Sequence, residues 1–138
     1  MFAMAKEAES RSPILAVICA GIAMEAALLW ALESCGAGHP DVVIFKQKKD
    51  SGEIPKSVPP IRVGNNHPKD WILAQMIEIA RLKGLVDSGA ASAAHGVRDW
   101  RNLVHPHVLR VHYGLDGIPL EDASFAINAA SFFITKLT

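Results

Sequence analysis

The stretch ILAVICAGIAMEAALLWAL, residues 14–32, decides the fold class, because it is long, apolar and interrupted by a single charged side chain. Ser12 and Pro13 precede it, and a serine N-cap followed by proline at the first helical position is a typical start of a helix. Gly36 follows it, and glycine commonly ends a helix. The sequence therefore predicts a helix from about Pro13 to Ser34 that is buried in a protein core.

The same stretch is long enough to cross a membrane, and Lys6 and Arg11 precede it as in a signal or anchor segment. Two features favour a core helix instead. Glu25 lies near the middle of the stretch, where a charge is costly in lipid, and alanine is more frequent than leucine. We therefore expect a buried helix and no membrane as a partner.

The composition is typical of one globular domain. The 138 residues are 50% hydrophobic, which suffices for one core but not for two. The 14 lysine and arginine residues balance 14 aspartate and glutamate residues, so no net charge attracts nucleic acid or an anionic membrane. Cys19 and Cys35 form neither a disulfide framework nor a metal motif, which is typical of a reducing cytoplasm. We expect residues 1–138 to form a single cytoplasmic domain.

Three further helices are predicted from the helical spacing of apolar residues and from start and stop signals. Gly84 ends the first of them. Pro106 ends the second, because proline disfavours helical geometry in the residue before it. Glu121 lies in the first turn of the third helix, where its negative charge interacts favourably with the helix dipole. The predicted ranges are Pro68–Lys83 with Asn66 or His67 as the cap, Asp87–His105, and a last helix from Pro119 onward.

The long link between the first two helices, residues 36–67, is rich in glycine, proline, lysine and aspartate. Within it, Asp41–Lys46 and Ile61–Val63 are predicted as short strands that would form at most a short hairpin. Loops of this length in a small domain are usually functional or mobile. The fold class is therefore predicted to be all-α, a four- to five-helix up-down bundle with one long irregular loop between helices 1 and 2.

Large apolar side chains are assigned to the core by their positions. In the last helix the predicted core stripe is Phe125, Ala129, Phe132 and Phe133. Core positions are also predicted for Trp30, Trp71 and Trp100. Glu25 lies in an apolar helix and a buried carboxylate needs a partner, for which Arg98 or Arg101 is the expected choice.

The stretch RDWRNLVHPH, residues 98–107, contains two arginines, an asparagine and two histidines, side chains that can bind a ligand or transfer protons. A helix turns by about 100° per residue, so the directions of these side chains can be compared. With Arg98 set at zero, the angles are about −60° for Arg101, +40° for Asn102, −20° for His105 and +60° for His95. Val97 and Leu103 fall on the other half. We predict that the apolar half faces the core and that the polar half faces water.

The residue types on this polar half are suited to phosphate chemistry. Arginine binds phosphate through two parallel hydrogen bonds, and histidine transfers protons near neutral pH. With Asp99 as the one carboxylate nearby, the pattern favours chemistry without a metal or cofactor. A second interpretation is an ordinary polar face, in which Asn102 and His105 bind the following loop and Arg101 pairs with an acid of another helix. The histidines at 105, 107 and 112 match no metal-binding motif.

The stretch LVDSGAASAAHGVRDWRNLVHPH, residues 85–107, resembles the third-helix signature of the HEPN superfamily (higher eukaryotes and prokaryotes nucleotide-binding). That signature has an arginine-asparagine pair followed by histidine and proline. AVICAGIAMEAALLWAL (16–32) resembles the family's first helix, and DWILAQMIEIARLKGLV (70–86) resembles the helix before the signature. EDASFAINAASFFITKL (121–137) resembles its closing helix.

The resemblance implies a helical bundle that forms a homodimer with the signature helices facing each other. Many members are metal-independent endoribonucleases of toxin–antitoxin and phage-defence systems. RNA or a nucleotide is then the ligand, and an antitoxin or a nucleotidyltransferase is a partner. The implied reaction is attack by a ribose 2′-hydroxyl on the adjacent phosphate, with a histidine as general base or acid and arginines stabilising the pentavalent state.

The family's motif is an arginine, a polar residue and a histidine after four to six intervening residues. Arg98 with His105 and Arg101 with His107 both fit this spacing, whereas Arg101 with His105 is shorter. The predicted catalytic residues are Arg98, Arg101, Asn102 and His105. The predicted binding residues are His95, His107, Arg110 and Glu25. The alternative is a non-catalytic nucleotide- or protein-interaction module, or a structural dimer without ligand, that uses the same face.

Overall fold

The computed structural model describes residues 13–103 and 120–137, with side chains described for residues 16–99 and 124–137. Within these residues the chain forms five α-helices and one 3-10 helix and no strand, which confirms the all-α prediction. The elements are α1 (Pro13–Ser34), α2 (His39–Asp50), the 3-10 helix Pro68–Asp70, α3 (Leu73–Leu82), α4 (Ser88–Leu103) and α5 (Leu120–Leu137). Ser12, Pro106 and Pro119, which were predicted as helix boundaries, lie outside the described residues.

The central element is α1, which packs against α3, α4 and α5. Val17, Met24, Leu28 and Leu32 have no exposed surface, as predicted for a core helix. Residues 16–34 are also long and apolar enough to cross a membrane by length and composition, and 56% of that window is buried inside the protein. A buried core helix passes the same test of length and composition, so this finding is weak evidence for a span.

The ends of α1 and α3 confirm the predicted glycine stops. Gly36 and Gly84 have φ of +73° and +75°, in the left-handed region that glycine adopts without a steric cost. The next residue then donates its N–H to a carbonyl five residues back, at 3.0 Å in both helices. These hydrogen bonds satisfy carbonyls that the helix end leaves without a partner.

The predicted strand at residues 41–46 is wrong, because this segment belongs to α2. The Gly38 N–H donates to Asp41 Oδ2 at 2.9 Å, and Pro40 suits the first helical turn. Asp41 Oδ1 also accepts a hydrogen bond from Lys83 Nζ at 3.0 Å, which joins the start of α2 to the end of α3. These contacts outweigh the β-propensity of the valine and isoleucine residues. Residues 61–63 do not form a strand either.

The start of α3 differs from the prediction by several residues. Pro68–Asp70 forms a separate 3-10 turn, and the α-helix begins only at Leu73. His67 is a cap as predicted, since its Nδ1 accepts the Lys69 N–H at 3.1 Å. Ile72 precedes the helix and is half exposed, so it is not a core residue.

The long link is held in place by two buried side chains. Gln75 Nε2 donates to the carbonyl oxygens of Pro59 and Pro60 at 3.2 and 3.1 Å. Trp71 Nε1 donates to the carbonyl oxygen of Asn65 at 2.7 Å, and the Trp71 side chain is buried as predicted. The link is therefore an irregular segment that is fixed by these hydrogen bonds beside α2, and it does not form a hairpin.

The predicted core stripe of α5 is partly wrong. Phe133 has no exposed surface, but Phe125 is 63% exposed and Phe132 is 47% exposed. The α5 helix packs against both α1 and α4. Its buried side is therefore the side that carries small residues, because these let the neighbouring helices approach closely. The buried residues of α5 are Ala126, Ile127, Ala130 and Phe133. Trp30 was also expected in the core and is 62% exposed.

Candidate functional site

A buried carboxylate joins α3 to α4. Glu78 lies on α3 with only 3% of its side chain exposed, and both of its oxygens accept hydrogen bonds. Arg81 Nε and Nη2 donate to Oε1 at 3.1 and 2.9 Å. His95 Nε2, on α4, lies 2.7 Å from Oε2. The three side chains form what we call the Glu78 cluster: Glu78, Arg81 and His95.

The local sequence explains this geometry. Glu78 and Arg81 are three residues apart, so they share one side of α3. Arg81 also lies in the last turn of α3, where a positive charge interacts favourably with the helix dipole. His95 reaches Glu78 because α3 packs against α4.

The charge of Glu78 determines which ring nitrogen of His95 carries a hydrogen. Burial by itself raises the pKa of Glu78, but hydrogen bonds from His95 and Arg81 and their charges more than offset it, so the pKa lies below its usual value. Glu78 is therefore ionised at neutral pH and can only accept hydrogen bonds. It follows that His95 Nε2 carries a hydrogen and donates it to Glu78.

Two buried nitrogen atoms of α4 make no hydrogen bond with the described part of the chain. They are His95 Nδ1 and Arg98 Nε. The two residues are three positions apart and so lie one turn from each other. A buried polar atom without a partner costs about 1–3 kcal/mol, so such atoms often mark a functional site.

The prediction that the polar half of α4 faces water is wrong for His95 and Arg98, whose side chains are only 16% and 15% exposed. The buried Ala91 and Ala94 point in nearly the same direction as Arg98, at about +20° and −40° from it. These small residues let neighbouring helices approach on this side. Asp99, about 100° away, has a 68% exposed side chain and accepts a 3.4 Å contact from Arg98 Nη2.

The remaining predicted site residues are placed only in part. Arg101 and Asn102 lie in α4, but their side chains are outside the described residues, as is that of Trp100. His105, His107, Arg110 and His112 also lie outside the described residues. Glu25 lies on α1 and is half-buried, and its pairing with Arg98 or Arg101 stays a prediction. The described structure thus brings together His95 and Arg98 of the predicted set.

Glu78, the buried carboxylate among the residues whose side chains are described, is not predicted from the sequence. Glu25 is the more conspicuous carboxylate in the sequence, because its neighbours form the longest apolar run. Glu78 also has apolar neighbours, Ile77 and Ile79, and the arginine three residues later was a signal that its charge is neutralised within the helix. No group of three or more histidine, cysteine, aspartate or glutamate residues in the described ranges is arranged to hold a metal ion.

No protein-family model matches the chain, and neither does any curated protein or solved structure. The resemblance to the HEPN superfamily therefore stays a prediction. The features that bear on function are the side chains of α4 and the Glu78 cluster.

Proposed function

We propose that the chain binds RNA along α4 and cleaves it without a metal ion. The observation that carries this proposal is the arrangement of His95 and Arg98, one turn apart on α4. His95 is oriented through Nε2 by an ionised carboxylate, and Arg98 retains a guanidinium Nε without a partner among the described residues. A histidine oriented by a carboxylate beside an arginine is suited to proton transfer at a phosphate.

The chemistry follows from these residue types. The 2′-hydroxyl of a ribose attacks the adjacent phosphorus, so the O2′–P bond forms and the P–O5′ bond breaks. One histidine takes the proton from the 2′-hydroxyl, and a second acid protonates the leaving O5′ atom. Arg98 and Arg101 stabilise the charge on the pentavalent phosphorus. We assign the proton transfers to His105 and His95, with Asn102 orienting the substrate.

The proposal includes a homodimer, as the resemblance implies, and a role in a toxin–antitoxin or defence system. An antitoxin or a nucleotidyltransferase is the corresponding protein partner. His95 Nδ1 and Arg98 Nε are buried within one chain, so RNA would first contact the exposed 16% and 15% of these two side chains.

The same coverage favours a second candidate function. A non-catalytic nucleotide- or protein-interaction module, or a structural dimer without ligand, needs no access of substrate to His95. In that case the Glu78 cluster would serve to hold α3 and α4 together.

The test is incubation of mixed RNA with the full chain, with and without EDTA. We expect cleavage that EDTA does not inhibit and that His105→Ala, Arg101→Ala and His95→Gln each abolish while the circular dichroism spectrum is kept; glutamine at position 95 retains an N–H donor for the buried Glu78. His39→Ala, an exposed histidine outside α4, is the matched control and should cleave like the wild type.

Two results would contradict the proposal. Cleavage that EDTA abolishes would indicate a metal-dependent enzyme. Binding of RNA without any cleavage would support the interaction module instead, provided that Arg101→Ala weakens the binding.

A further inference from the structure

A groove lies between α2 and the ordered link, away from α4. Its volume is about 520 Å³, within the range of sites that hold small organic molecules. The side of α2 supplies Val42, Val43 and Lys46, and the link supplies Pro60, Ile61 and Val63.

The groove is open to solvent, and most of its exposed lining surface is apolar. Phe45, at its base, is 1% exposed and belongs to the core. Val43 is 41% exposed and Val63 is fully exposed, although both are apolar. Exposed apolar side chains around one cavity are a typical feature of a ligand site. They lose their contact with water only when a ligand occupies the groove.

The charges of the groove favour a negative ligand. Lys46 is exposed and makes no ion pair with the described residues, whereas Lys48 pairs with Glu53 and Lys83 pairs with Asp41. Lys49, also at the groove, donates to the carbonyl oxygen of Pro55 at 3.1 Å. Asp50 is the one acidic residue of the lining, so the lining carries one more positive than negative charge.

We propose that this groove binds a small amphipathic carboxylate, with its hydrocarbon part against Val43, Ile61 and Val63 and its carboxylate at Lys46. A single free ammonium and no guanidinium in the lining match a carboxylate better than a phosphate, for which arginine is the preferred partner. A nucleobase fits poorly, because stacking needs an accessible aromatic face and Phe45 is buried. The groove uses no residue of the proposed RNA site.

Isothermal titration calorimetry with octanoate tests this proposal. The wild-type chain should bind octanoate saturably and should bind 1-octanol and octylammonium more weakly. Lys46→Gln should weaken octanoate binding by about tenfold or more, because one charge-assisted hydrogen bond is lost. Val43→Glu should abolish binding, because it places a negative charge in the groove.

Two matched controls lie on the same helix. Lys48→Gln removes a lysine outside the groove, and Ile44→Glu introduces a glutamate at a position as exposed as Val43 but outside the groove. Both should bind octanoate like the wild type. None of the four positions is buried, so the variants should fold, and circular dichroism checks this.

Three results would overturn the proposal. They are the absence of saturable octanoate binding by the wild type, octylammonium binding as tight as octanoate binding, and an equal loss in Lys48→Gln and Lys46→Gln. None of these results depends on RNA binding or cleavage, so the two proposals fail separately.

Discussion

Glu78 is the residue whose environment matters most for the stability of the described structure. Its carboxylate is almost completely buried, and among the described residues its ion-pair partners are Arg81 and His95. Removing one partner of a buried ion pair is costly, because the remaining charge loses its compensation. The cluster therefore links the stability of the α3–α4 pair to the ionisation of one carboxyl group.

We predict that Glu78→Gln lowers the free energy of unfolding at pH 7 by about 1.5–3 kcal/mol, the range for hydrogen bonds to charged groups. The folded-state pKa of Glu78 is below the usual value of 4.5. Its ionised form thus stabilises the fold above that pH, and this stabilisation is lost as the pH falls through the lowered pKa. Urea denaturation between pH 7 and pH 2 should show a smaller acid-induced loss in the variant.

Glu53→Gln is the control for this experiment. Glu53 forms an ion pair with Lys48 in which both side chains are largely exposed, and such pairs contribute little to stability. Its pH profile should match that of the wild type. Identical pH profiles for Glu78→Gln and the wild type would show that Glu78 is not the group that titrates.

At the scale of elements, two glycines of similar chemistry have opposite roles. Gly84 ends α3 with a positive φ, whereas Gly96 lies inside α4. A Cβ atom added to either residue meets no atom within 4 Å, so only the backbone conformation separates them.

We predict that Gly84→Ala destabilises the protein by about 1 kcal/mol, because alanine in the left-handed region is strained. Gly96→Ala should stabilise it by roughly 0.5–1 kcal/mol, since alanine has the higher helix propensity. In thermal denaturation, the midpoint temperature should fall for Gly84→Ala and rise for Gly96→Ala, relative to the wild type. Shifts of the same sign would show that packing, and not the backbone, decides the effect.

The α5 helix provides a second matched pair. Phe133→Ala should cost about 3–5 kcal/mol, because Phe133 is completely buried. Phe132→Ala should cost about 1 kcal/mol or less, since Phe132 is half exposed and its described contact is with Lys136 Nζ, 5.3 Å from the ring centre. Chemical denaturation measures both, and equal losses would mean that Phe132 is covered in solution.

At the scale of the whole molecule, large aromatic side chains remain uncovered within one chain. Trp30 on α1 and Phe125 on α5 are each more than half exposed, and α1 packs against α5. Exposed aromatic residues are typical of protein–protein interfaces. They agree with the homodimer that the resemblance implies.

We therefore predict that light scattering coupled to gel filtration gives the mass of two chains. Trp30→Glu should shift the protein toward the monomer, because a charge at an apolar interface opposes association. Val63→Glu, on the fully exposed link, is the control and should remain dimeric. A monomeric wild type at all concentrations would refute the prediction.

Local chemistry was enough to predict much of this architecture. A few adjacent residues determine the bounds of α1, the glycine stops at Gly36 and Gly84, and the start of α4 at Ser88, where the preceding Asp87 accepts the Ala90 N–H through Oδ1 at 2.7 Å. Such signals act through the backbone of the same segment, so no distant contact is needed to interpret them.

Packing decided the rest. Residues 41–46 become helical through the capping of their own first turn and the contact of Asp41 with Lys83 on another helix. The buried sides of α4 and α5 depend on how closely alanine residues let other helices approach. Glu78 and His95 are 17 residues apart and meet only because α3 and α4 pack together. Periodicity assigns a direction to each side chain, but the neighbours that cover it are set by the arrangement of all the helices.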